Sequence, residues 1–147
     1  MRMEIDTAEA LEALGGRLAR LLRAGDFVAL EGPLGAGKTT LARGVIRALT
    51  TASEEVPSPT FTLVQTYESA RLTVAHFDLY RLERAEEAEE IGLWEALDEG
   101  AALVEWPERL GSALPRDRLT VEIAPSNAGR VVRLTAHGQW SMRDLDL

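Results

Sequence analysis

The run GPLGAGKTT at residues 32–40 holds the chain's single lysine, Lys38, among fifteen arginines. Gly32, Gly37, Lys38 and Thr39 satisfy the pattern G-x-x-x-x-G-K-[ST]. Glycines let successive backbone N–H groups converge on one point, and a helix that starts there adds the positive end of its dipole. The loop formed by Leu34, Gly35, Ala36, Gly37, Lys38, Thr39 and Thr40 is therefore suited to phosphate oxygens. In such a loop the lysine reaches the β- and γ-phosphates, and the hydroxyl of Thr39 is a ligand for Mg2+. A compact ammonium on a flexible stem fits inside a loop closed around a triphosphate, whereas a planar guanidinium would pry it open. The implied chemistry is nucleoside triphosphate binding.

A phosphate loop needs a strand before it and a helix after it. Phe27–Glu31 is a short apolar run of the kind a buried strand shows, and residues 39–49 carry Leu41, Val45, Ile46 and Leu49 on one helical face. Upstream, Leu11, Leu14, Leu18, Leu21 and Leu22 predict a helix over residues 7–23, closed by Gly25 and Asp26. Two further apolar strands end in carboxylates, VAHFD at Asp78 and ALVE at Glu105. Together with the Thr39 hydroxyl they suit Mg2+-assisted phosphoryl transfer. One would hold the ion, and the other would position water or transmit a conformational change; the residue pattern leaves open which does which.

Between them, SPTFTLVQTYE (residues 58–68) begins as a proline-braced loop and continues as a strand. It pairs with residues 72–77 through a turn near Ser69 and Ala70. Residues 80–98 are acidic and helical in character, with a break at Gly92. Residues 119–124 and 130–136 alternate with period two on either side of PSNAG, the pattern of a hairpin. The expected fold is α/β: a single P-loop NTPase domain over residues 1–147, with a mixed β-sheet flanked by helices. The tail from about residue 137 carries no pattern.

Composition narrows the function. The net charge of −8 argues against a self-sufficient nucleic-acid binder, which needs a basic footprint. There is no cysteine, so neither a disulfide framework nor a thiolate metal site is available. The start MRMEIDTAEA is not a secretory signal and no apolar stretch approaches the ~20 residues of a membrane span, so a cytoplasmic protein is expected. A guanine reader of the Asn-Lys-x-Asp type is missing: the one asparagine sits in Ser126-Asn127-Ala128. Arg116-Asp117-Arg118 is a faint counterpart of a kinase lid. A free-standing small-molecule kinase and a nucleotide-binding regulator without turnover stand as alternatives to an ATPase.

Four segments, LGAGKTTL (34–41), SPTFTLV (58–64), HFDLYRL (76–82) and VEWPE (104–108), occur in the order and spacing of the TsaE (YjeE) family. The resemblance extends over residues 6–133. It implies a Mg2+-dependent ATPase of slow turnover, with ATP and Mg2+ as cofactors, that serves threonylcarbamoyladenosine (t6A) formation at position 37 of ANN-decoding tRNAs. It also implies partnership with the TsaB and TsaD proteins, contact with tRNA only through that complex, and no transferase activity of its own. By the same resemblance, Lys38 and Thr39 contact phosphates and metal, Glu105 is the second metal ligand, and Asp78 lies near the γ-phosphate and is needed for turnover. Ser58, Pro59, Thr60 and Phe61 correspond to a switch loop, while Trp106 and Arg130 lie beside the nucleotide. The segment near Thr7 approaches the adenine.

Other residues have plainer readings. His76 is expected as a structural hydrogen-bonder and Trp94 as core, while Tyr80 either supplies a trans-acting contact together with Arg81 or packs against the acidic helix. The run at residues 83–90 is expected as a solvated helix face, with Arg84 and Glu87 paired.

Overall fold

Apolar runs and alternating stretches sort the strands into central and outer ones. The computed structural model describes residues 1–127 and 129–147; Ala128, in the PSNAG stretch of the expected hairpin, lies outside the described residues. The apolar runs become β2 (Phe27–Glu31), β4 (Val74–Asp78) and β5 (Ala101–Glu105). They lie side by side and parallel, with every residue of β4 and β5 buried, as a sheet covered on both faces requires. The alternating stretches become β6 (Arg118–Ser126) and β7 (Gly129–His137), an antiparallel pair of which β6 also runs parallel to β2. Two strands close the edges: β1 (Arg2–Ile5) on β7 and β3 (Val64–Tyr67) on β4, both antiparallel. Among the described residues the sheet order is β1-β7-β6-β2-β5-β4-β3, a mixed sheet as expected.

Alternation along the strands divides the core. Val28, Leu30, Leu103 and Val121 meet helices α1 (Ala8–Ala19) and α2 (Lys38–Leu49) on one face. Phe27, Ala29, Phe77 and Val104 meet α3 (Glu87–Glu90), α4 (Leu93–Glu99) and the 3-10 segment Pro107–Ala113 on the other. The hydroxyl of Thr7 caps α1 by accepting from Ala10 N at 3.0 Å. α1 and α2 cross closely at Gly15 and Gly44: a Cβ on Gly44 would lie 1.9 Å from the carbonyl oxygen of Glu12. That crossing holds the helix behind the phosphate loop.

Several boundaries differ from expectation. The helix predicted over residues 7–23 ends at Ala19, and residues 20–22 finish it in tighter i→i−3 turns. The acidic segment is helical only from Glu87, because Tyr80 N bonds the Asp78 side chain and Leu82 N bonds Leu79 O, which turns the chain first. Arg84 and Glu87 do pair, at 3.8 Å. β1 was not foreseen; its short, half-exposed edge position leaves no apolar run to detect. The unpatterned tail is anchored by Trp140, which is buried, and by Arg143, whose guanidinium stacks on that ring and makes two 2.7 Å contacts with the buried Asp26 carboxylate. In the segment considered for a lid, Arg118 donates to Pro115 O and the Asp117 carboxylate accepts from Gln139 N.

Candidate functional site

Strand register brings the chemistry together. Leu30 of β2 pairs with Glu105 of β5, and Glu105 pairs with Asp78 of β4, so three parallel strands end side by side. The phosphate loop leaves β2 at that same end. Such a carboxyl-end crevice is where open α/β sheets bind ligands. Residues 74, 76 and 78 share one face of β4, the face that carries α2 and its phosphate loop.

The loop is held in shape by packing. Gly37, the N-cap of α2, has φ 118° and no room for a side chain: a Cβ would sit 2.5 Å from Leu11 Cδ2 and 3.1 Å from Arg130 Nε. Arg130, at the start of β7, donates from Nε to the carbonyl of Ala36 and so ties the loop to the sheet.

Lys38 is buried and its Nζ donates to Gly32 O at 2.6 Å, while standing 3.7 Å from the centroid of the Trp106 ring. Burial pushes its pKa below the ordinary lysine value, and the charges of Glu105, Asp78 and Glu108 act in the opposite direction. Trp106 itself adopts a left-handed backbone, φ 58° and ψ 49°, a conformation that costs a non-glycine residue about 1 kcal/mol or more. Tyr80 lies 4.9 Å from Trp106, ring to ring, and Arg109 lies 5.5 Å from Tyr80. Tyr80 therefore packs on the tryptophan and remains half-exposed.

The two carboxylates are both buried and differently held. Glu105 Oε2 accepts from Thr39 Oγ1 at 3.0 Å and lies 2.6 Å from His76 Nε2. Asp78 Oδ2 accepts from Thr60 Oγ1 at 3.2 Å, and Oδ1 accepts from Tyr80 N at 2.9 Å. Ser58 joins through its hydroxyl, 2.8 Å from that of Thr60.

A cleft of about 280 Å³ results, lined by Leu34, Gly35, Gly37, Lys38, Thr39, Thr40, Ser58, Thr60, Asp78, Glu105, Trp106 and Arg130. Ala36 does not line it: its carbonyl accepts from Arg130 and its side chain is buried in the core. Of the other two loop residues, Pro59 is buried and Phe61 is 82% exposed, with the Arg81 guanidinium 5.5 Å from its ring. A larger hollow of about 540 Å³ lies at the amino end of β2, beside Arg20, Arg23 and Arg143, away from the loop. The reading from sequence missed the contact of His76 with Glu105. Period-two alternation already set His76 on the same face as Asp78 and was the available signal.

The donors fit Mg2+. No three His, Asp or Glu side chains cluster as a cation cage among the described residues. Mg2+ is commonly held by one or two protein oxygens together with substrate phosphates and waters, and the adjacent Thr39 hydroxyl and Glu105 carboxylate are oxygen donors of that kind. No helix among the described residues is long and apolar enough to cross a membrane.

A family profile described as threonylcarbamoyl adenosine biosynthesis protein TsaE matches residues 5–132. A protein of Rickettsia felis named tRNA threonylcarbamoyladenosine biosynthesis protein TsaE is 35% identical, covering 95% of this chain and 83% of its own length. A protein of the same name from Bacillus subtilis is 39% identical over 78% of this chain and 72% of its own. The crystal structure of Bacillus subtilis YdiB superimposes with a TM-score of 0.81 at 30% identity, covering 97% of this chain and 89% of that one.

Proposed function

The chain belongs to the TsaE family, and from that premise we propose that it binds ATP with Mg2+ in the cleft, hydrolyses it slowly, and supports t6A formation on tRNA together with TsaB and TsaD. The observation that carries this reading is the meeting of Lys38, Thr39, Asp78 and Glu105 at the ends of three adjacent parallel strands.

In this reading the backbone amides of residues 34–39 cradle the phosphates. The Lys38 ammonium exchanges its Gly32 carbonyl partner for phosphate oxygens. Thr39 and Glu105 would hold Mg2+, which would supply positive charge against the phosphates. Glu105 is already tied to α2 and β4 and so fixes position. Asp78, held by the loop residue Thr60, is the carboxylate that accepts a hydrogen bond from the attacking water and aligns it. Ser58 and Thr60 then couple the loop that carries them to the state of the nucleotide, and Trp106 and Arg130 border it. With a net charge of −8, the protein reaches tRNA through its partners, in the cytoplasm.

Phosphate release and t6A formation, measured with purified TsaB, TsaD and tRNA, test the proposal. Modification that depends on this chain and on hydrolysable ATP is expected. Modification at full rate without the chain, or a phosphorylated small molecule found in an extract screen, would replace it with another function.

A further inference from the structure

Resting on the reading of Glu105 as a Mg2+ ligand, we propose that His76 is a positioning residue that aims the Glu105 carboxylate. His76 pairs in register with Leu103, so Glu105, two residues further along β5, lies diagonally across from it on the same face. The 2.6 Å contact is between a fully buried ring and a carboxylate that is 4% exposed. An ionised carboxylate only accepts, so the His76 Nε2 carries the proton and donates.

His76 Nδ1 is buried with no protein partner among the described residues. With the proton on Nε2, what goes unpartnered at Nδ1 is a lone pair. The opposite tautomer would set two lone-pair atoms against each other at 2.6 Å and bury an unpaired N–H. Geometry therefore fixes the tautomer, as a hydrogen-bonded carboxylate does for other oriented histidines.

The consequence concerns which oxygen is offered to the cleft. Both Thr39 and His76 hold Oε2, from α2 and from β4. No protein donor engages Oε1 among the described residues, and Glu105 lines the cleft. His76 thus pins one oxygen and leaves the other free of protein donors for a cation in the cleft. His76 itself does not line the cleft.

The test combines a readout on the protein alone with a variant series. Nitrogen-15 NMR of the nucleotide-free wild type should show His76 as the Nε2–H tautomer. Next, the affinity for a fluorescent ATP analogue is measured with and without Mg2+ for the wild type, His76→Gln, His76→Asn and His76→Leu. A glutamine amide reaches about where Nε2 lies, and an asparagine amide falls short. His76→Leu and His76→Asn should need roughly 10- to 100-fold more Mg2+ to reach the same nucleotide affinity, the usual loss for removing a partner of a metal ligand. His76→Gln should stay near the wild type, and affinity without Mg2+ should be unchanged throughout. If His76→Leu fails to fold, the Gln–Asn comparison and the tautomer remain decisive. An Nδ1–H tautomer, or equal Mg2+ dependence in Gln and Asn variants, overturns the role of His76 alone. A wild type whose nucleotide affinity ignores Mg2+ removes the metal reading of Glu105 and this proposal with it.

Discussion

Asp78 and Glu105 end neighbouring parallel strands in direct register, yet their carboxylates answer to different parts of the chain. Glu105 is gripped by a helix and a buried strand through Thr39 and His76. Asp78 is held by Thr60, from a loop, and by the backbone of Tyr80 just beyond the strand. A carboxylate fixed by rigid elements suits a static ligand, and one fixed by a loop can respond when that loop moves. This asymmetry separates two acidic strand ends that look alike in sequence.

The phosphate loop depends on the α1–α2 crossing. Gly44→Ala would place a methyl 1.9 Å from one backbone atom of Glu12 and 2.8 Å from another, so the two helices must part. The expected cost is about 3 kcal/mol, the upper end for overpacking a core. Chemical denaturation of the variant checks this, and an unchanged midpoint would mean that the helices adjust without loss.

Lys38 predicts a pH dependence of nucleotide binding. Its pKa is lowered in the folded protein by burial, and phosphate favours its charged form and so raises the pKa on binding. Affinity should be constant well below the lowered pKa and fall as pH rises through it, in a range below that of an ordinary lysine. The same depression means that the unfolded chain binds more protons than the native one in that window, so this group's contribution to stability rises with pH there. Titration calorimetry of ATP across alkaline pH reads the first effect, and a flat affinity up to the ordinary lysine pKa would contradict it.

The tail predicts a stability effect remote from the cleft. Arg143→Ala leaves the buried Asp26 carboxylate with the Arg23 backbone N–H as its remaining partner and strips the cation from Trp140. Because the guanidinium is itself partly exposed, about 2 kcal/mol of destabilisation is expected, below the range for fully buried pairs. Thermal unfolding checks it, with ATP affinity unchanged in the folded protein.

The central strands, the phosphate loop and its helix were legible because each is a local pattern. Phe27–Glu31 is an uninterrupted apolar run, and residues 32–39 match a motif whose spacing has a physical cause. Asp78 and Glu105 stood out because a charge that ends a buried strand is conspicuous. Their adjacency is a property of register, which single strands do not reveal. β1 and the tail were illegible for the same reason: Met3, Trp140 and Arg143 are explained by β7, Asp26 and the end of α1, all distant in sequence. The contact of Tyr80 with Trp106 was illegible because the chain turns after Asp78 and does not enter a helix directly.

In the proposed function the cleft binds ATP through Lys38 and turns it over through Asp78. Binding of Mg2+-ATP and steady-state phosphate release, measured on the same preparations of wild type, Lys38→Ala and Asp78→Asn, test it most directly. Lys38→Ala should lose binding. Asp78→Asn should bind ATP as the wild type does and release phosphate about 100-fold or more slowly, the lower end for removing a residue that handles the proton of the nucleophile. An Asp78→Asn protein that hydrolyses ATP at the wild-type rate, or a Lys38→Ala protein that binds it undiminished, would contradict the account.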